Sequence, residues 1–165
     1  MLSSTGDGDR SVQRAVDRAS IADNMALYAH GVDEARYDLV SSSFVEDGVL
    51  HVPNMPSLVG RENIRDTLAA AGLKRREAGG QIFQRHSLSL SRLDINGDTA
   101  SGETYFHVMT ELGVDHSGRY VDRLVRCGDG WLFAERTVFV EYIQAQSRFL
   151  SPSLAAVAVV DTRLS

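Results

Sequence analysis

Apolar positions along the chain change their spacing once, near the middle. From Ser11, Val12 and Val16, then Ile21, Met25 and Tyr28, recur at helical spacing, with Gly31 as the expected stop. Asp33 is expected to open a shorter helix carrying Tyr37, Leu39, Val40 and Phe44. Asp47-Gly48 reads as a turn and Val49–Val52 as a short strand. Ile64, Leu68 and Ala71 form one stripe of a third helix that is expected to end near Gly72, with a loop over 74–80. Beyond Gln81 the period becomes two. Residues 81–95 and 98–112 alternate on either side of Asn96-Gly97, a hairpin signal. A loop over 113–118 is followed by strands at 119–127 and 131–143, joined by Gly128-Asp129-Gly130. Helices first and antiparallel strands afterwards indicate an α+β domain over 11–143. Residues 1–10 form a polar end expected to be disordered, and 144–165 a tail with an Ala/Val-rich segment at Leu154–Val160.

The hairpin carries the candidate chemistry. With Asn96 and Gly97 as its two-residue loop, Ile95 pairs with Asp98, Leu88 with Tyr105, and His86 with His107. Ile82, Gln84, His86, Leu88 and Leu90 then share the more apolar face, and a slip of one residue would undo the arrangement. Two histidines would face each other inside the sheet, with Tyr28, Asp33 and Arg136 aimed at the same space. A histidine with a carboxylate partner is a tunable base, and a tyrosine or arginine nearby can hydrogen-bond an oxyanion. Each residue also has a plainer reading. Asp33 fits a helix N-cap, His86 a hydrogen-bonded core histidine, Tyr28 a core aromatic, and Arg136 a salt bridge with Glu103, Glu135 or Asp122. His86, His107 and Asp33 together would also suit a metal of the non-heme iron type.

Composition narrows the classes. The 165 residues are 43% hydrophobic, enough for one full core, and carry a net charge of −5. That balance argues against nucleic acid, and Lys74-Arg75-Arg76, followed by Glu77, reads as a solvated loop. Cys127 is the only cysteine, which excludes an internal disulfide. The first ten residues lack an apolar core for a signal peptide, and Leu154–Val160 is too short to span a membrane, so a cytoplasmic protein is expected. No phosphate-cradling glycine motif and no G-x-S-x-G elbow occurs in the sequence.

Taken in order, Tyr28-Ala-His-Gly-Val-Asp33, Phe44-Val-Glu-Asp47-Gly, Gly60-Arg61-Glu62-Asn63-Ile64, Arg85-His86, Asn96-Gly97-Asp98-Thr99-Ala100, Gly118-Arg119-Tyr120-Val-Asp122 and Gly128-Asp-Gly-Trp131 with Glu135-Arg136 resemble the SnoaL-like branch of the nuclear-transport-factor-2-like superfamily. The resemblance spans about residues 12–143. It implies a cone-shaped α+β barrel, three helices wrapped on a curved antiparallel sheet around an apolar cavity, often assembled as a homo-oligomer (dimer or trimer). Within that branch the pattern is most similar to the cofactor-free Asp–His dehydratases and dehydrochlorinases. By position the resemblance implies His86 as base, Asp33 as its partner, and Tyr28 and Arg136 as catalytic helpers. His107 is similar in place to a second histidine of scytalone dehydratase. Tyr105, Met109 and Leu88 join His107 as expected substrate contacts.

The expectation is therefore a lyase or isomerase without cofactor or metal, taking a small hydrophobic, cyclic substrate. Fold alone does not decide function. A cyclase or ketosteroid-isomerase chemistry would place the base on Asp122 or Glu103 instead, and a non-catalytic module would use the cavity for binding only.

Overall fold

The computed structural model describes residues 5–79, 83–147 and 149. Helix α1 (Thr5–Asp33) is followed by α2 (Tyr37–Ser42), β1 (Phe44–His51), β2 (Leu58–Val59), α3 (Arg61–Gly79), β3 (Arg85–Leu88), β4 (Arg92–Asn96), β5 (Thr99–Thr110), β6 (Gly113–Cys127) and β7 (Gly130–Ile143). The strands form one unclosed sheet in the order β2-β1-β7-β6-β5-β3, with β4 also pairing β5. All pairings are antiparallel except β1 with β7. The α+β class expected from the sequence is the observed one, with a curved, mixed sheet in place of a purely antiparallel one. Ile82 and the Ala/Val-rich segment lie outside the described residues.

The core sits between the helices and the concave sheet face. Ile21, Met25 and Tyr28 of α1, Val40 of α2 and Ile64 of α3 pack onto Phe44, Leu50, Phe106, Val108, Tyr120, Leu124, Trp131 and Phe133. The first half of the α1 stripe is outside this core, since Val12 and Val16 are more than half exposed. Helix α1 already includes residues 5–10, which composition alone assigned to a disordered end.

Helix ends differ from expectation for a shared reason. Gly31 and Gly72 do not stop their helices; they let another element come close. A Cβ on Gly31 would meet the Val40 side chain at 2.9 Å, and one on Gly72 would meet the Tyr37 hydroxyl. The true end of α1 is a Schellman motif: Arg36 N–H donates to Gly31 O (2.8 Å), Ala35 N–H donates to Val32 O (3.2 Å), and Ala35 adopts φ +56°. An alanine there, where glycine is usual, leaves the end unmarked in the sequence. Asp33 thus closes α1 instead of capping α2. Similarly, α3 runs through Lys74-Arg75-Arg76, which is helix and not loop. Phe44, expected in a helix, begins β1, and the expected Asp47-Gly48 turn is part of that strand.

The central hairpin is shifted. Its loop is Gly97-Asp98, since Asn96 pairs with Thr99, and Gly97 has φ +59°. Glycine at the first central position is the type II′ arrangement. Between β4 and β3 the three residues 89–91 stand opposite only two, 104 and 105, so one extra residue bulges out where Leu90 is 97% exposed. His86 consequently pairs with Val108, and His107 with Ser87. Because side chains alternate, that odd shift moves His107, Tyr105 and Met109 to the outer sheet face. Tyr105 is 57% and Met109 45% exposed. Leu88 faces inward, opposite Phe106, half-buried against the core.

Strand β6 begins at Gly113, so the expected 113–118 loop is strand. Its register slips against β5 between Val108 and Met109, which leaves Asp115 as an extra residue between Val114 and His116. Such a bulge re-aims side chains that would otherwise alternate.

Candidate active site

Asp33 and His86 meet where the end of α1 touches the edge strand β3. Gln84 fixes the approach, its Nε2 donating to Val32 O at 2.7 Å. The Asp33 carboxylate takes two bonds from one residue: the His86 main-chain N–H donates to Oδ2 at 2.9 Å, and His86 Nδ1 lies 2.6 Å from Oδ1. The first bond satisfies an edge-strand N–H and the second orients the ring. Both side chains are buried, with 6% of Asp33 and 9% of His86 exposed. An ionised carboxylate only accepts, so Nδ1 carries the proton and Nε2 keeps its lone pair. A carboxylate at a helix C-terminus works against the helix dipole.

His86 lines a cavity of about 170 Å³ between the helices and the sheet. Tyr28, Tyr37, Tyr120, His116, Gln84 and Arg75 supply its polar groups, and Val32, Val52, Leu68, Ala71, Phe106, Val108, Val138 and Phe149 its apolar wall. Burial pushes the Tyr28 phenol above its usual range and that of Tyr120 well above it. Both are therefore neutral hydrogen-bond donors at ordinary pH.

A second histidine of the cavity is one that sequence reasoning missed. His116 Nδ1 lies 2.8 Å from Asp115 Oδ1, and the carboxylate is wholly buried. Ser147 Oγ donates to the same oxygen at 2.7 Å. Burial pulls the His116 ring below its usual pKa, against the opposing pull of Asp115. The adjacent Asp-His pair is a visible signal, but strict alternation would send the two side chains to opposite faces. Only the bulge buries both.

Arg136 is elsewhere. It is wholly buried and does not line the cavity. Nε and Nη2 donate to the two oxygens of Asp122 at 2.7 and 2.8 Å. Its guanidinium carbon lies 4.4 Å from the Tyr28 ring centre, 4.1 Å from that of Tyr120 and 3.9 Å from that of Phe133. It is a charged floor beneath the two cavity tyrosines. Of the eight residues singled out, the structure brings His86, Asp33 and Tyr28 together at the site. It sets Arg136 beneath, Leu88 beside, and His107, Tyr105 and Met109 outside. The metal set of His86, His107 and Asp33 is accordingly not assembled, and no group of three metal-ligating side chains occurs among the described residues.

Helices on a curved, open sheet with an Asp–His pair in the cavity define an α+β cone with a candidate acid–base centre. The SnoaL-like domain family matches residues 13–137, and the chain belongs to that family. No curated protein matches the chain. Among solved structures it is similar to a nuclear-transport-factor-2-like protein with a cystatin-like fold from Novosphingobium aromaticivorans, at TM-score 0.74 and 20% identity over 90% of this chain and 97% of that one. A protein from the same organism, provisionally called a scytalone dehydratase, aligns at TM-score 0.68 and 20% identity, covering 86% of this chain and 96% of that one. A third from that organism, provisionally called an aromatic ring hydroxylase, is 29% identical at TM-score 0.59, over 73% and 86% of the two chains. Among the described residues no helix is long and apolar enough to cross a membrane.

Proposed function

We propose that the protein is a cofactor-independent lyase or isomerase in which His86 abstracts a proton from carbon beside a carbonyl of a small, cyclic, largely apolar substrate. The observation that carries this reading is the 2.6 Å contact between Asp33 Oδ1 and His86 Nδ1 in a histidine that lines the cavity. Nε2 takes the proton, Asp33 stabilises the resulting imidazolium, and the neutral Tyr28 hydroxyl is suited to donate to the enolate oxygen. Return of the proton to another carbon gives an isomer. Its delivery to a β-hydroxyl releases water and gives an enone. His116, held by Asp115 on the same cavity, is suited to accept a hydrogen bond from a substrate hydroxyl.

A carboxylate base, as a cyclase or ketosteroid isomerase would use, has less support. Asp122 is wholly buried in its two bonds to Arg136, and Glu103 lies on the outer face near Arg119, at 3.7 Å. The test is exchange in heavy water with a panel of cyclic β-hydroxyketones. Wild-type protein should introduce deuterium at the carbon beside the carbonyl, with loss of water from some members, and His86→Ala should do neither. Equal exchange by both proteins would discard His86 as the base.

A further inference from the structure

Arg75 is the cavity residue that the proposed chemistry leaves without a role. It is half-buried on the inner side of α3 and lines both the 170 Å³ cavity and an adjoining recess of about 110 Å³. Its guanidinium carbon stands 4.8 Å from the Phe149 ring centre. A guanidinium carries its N–H donors in its own plane, and an aromatic ring beside it takes none of them in an ordinary hydrogen bond. Among the described residues none of those donors is taken by a hydrogen bond or an ion pair, in contrast to Arg126 and Arg136, which are each bonded to carboxylates. The two acids that share the recess are placed otherwise: both Asp33 oxygens serve His86, and Glu34 is exposed. Arg76 adds a second positive charge to the recess. The Arg75 charge also acts on His116, where it adds to the downward pull on that ring's pKa.

An unpaired guanidinium on an apolar cavity is a site for a planar anion, because the fork matches a carboxylate with two parallel charge-assisted hydrogen bonds. Size limits the rest of the ligand. An apolar cavity of roughly 150 Å³ takes a benzene-sized guest, so about 170 Å³ holds one ring with small substituents, and the recess extends this toward two. We infer that the ligand of this cavity is a one- or two-ring carboxylic acid, with its carboxylate on Arg75 and its ring between the two histidines and the apolar wall. This rests on the cavity being the substrate site and assigns the substrate class for the reaction proposed above.

Binding of 2-naphthoate and of its neutral counterpart 2-naphthamide, measured by calorimetry at pH 8.5 where free histidines are neutral, tests it. Wild-type protein should favour the acid by roughly 10- to 100-fold, the range of a hydrogen-bonded charge pair. Arg75→Gln should bring the ratio near one, and Arg75→Lys, which keeps the charge without the fork, should leave part of it. His86→Ala should retain the preference, so that a failure of the catalytic reading is told apart from a failure of this one. Equal binding of acid and amide by wild type, a preference that survives Arg75→Gln, or no binding of either probe at millimolar concentration would overturn the inference.

Discussion

Asp33 reaches His86 from 53 positions away in the chain and gives it both oxygens. Asp115 is the neighbour of His116 and divides itself: Oδ1 serves the ring and Ser147, Oδ2 lies 3.5 Å from Gln144 Nε2, and its carbonyl accepts the Gln144 N–H. The ring geometry is nearly the same, at 2.6 and 2.8 Å. The uses differ. The Asp33 carboxylate has no other hydrogen-bonded partner among the described residues, so its placement against the helix dipole is matched by what it does to His86. Asp115 ties the bulge in β6 to the chain after β7, and His116 is held as part of that knot. The first pair spends its whole carboxylate on one cavity histidine, as the proposed base requires; the second is a structural knot that presents a histidine to the cavity.

The sharpest way to break this contrast is to remove the rings. His86→Ala should lower the rate of proton abstraction by about 10²- to 10⁴-fold, the usual contribution of a positioned base, while circular dichroism stays unchanged. His116→Ala should lower it less, since it removes a substrate contact and no base. If His116→Ala proves the more damaging, the roles are reversed. Removing the partners comes next. Asp33→Asn should fall within about an order of magnitude of His86→Ala in rate, because an amide no longer fixes the productive tautomer. Asp115→Asn should instead cost stability, about 1–3 kcal/mol by denaturant unfolding, as a buried hydrogen-bond hub is disturbed. Unchanged activity in Asp33→Asn would remove the distinction between the pairs.

The smallest effect is a pH dependence. The folded-state pKa of His116 is lowered by burial, from an ordinary value of 6.5, so the unfolded chain binds its proton more readily. Its contribution to stability is therefore full above pH 6.5 and is lost as the pH falls below it, with a slope of at most about 1.4 kcal/mol per pH unit. Unfolding between pH 7 and 5 should show this slope in wild type and a flatter one in His116→Gln. Equal slopes would mean that the ring is not buried as described.

These pairs also measure what a sequence can disclose. The change of period, the Gly-Asp turns and the order of helices and strands mark the α+β fold, because they follow from local backbone and burial rules. The Asp33–His86 pair was legible through family position. Spacing alone pointed to Asp33 as a cap, since Gly31 looked like a helix stop and the Ala35 terminus carries no glycine signal. His107 illustrates a register set by a bulge: Gly97-Asp98 in place of Asn96-Gly97 moves the pairing by two and keeps the faces, and the one extra residue near Leu90 changes its face. His116 was hidden by a bulge, which appears only when two strands are paired. Arg136 was expected either as a catalytic helper or in a salt bridge with Glu103, Glu135 or Asp122, and the cross-strand register sets it opposite Asp122, a choice one strand's pattern cannot make. Arg75 was read as solvated because its helix was expected to end three residues earlier.

The central claim is that Asp33 holds the His86 proton on Nδ1 and leaves Nε2 as the free base. Nitrogen-15 NMR of the histidine rings at neutral pH reads this directly. The account predicts a protonated Nδ1 and an unprotonated Nε2 for His86 in wild type, with that fixed tautomer lost in Asp33→Asn. A proton on Nε2, or a tautomer indifferent to Asp33, would contradict it.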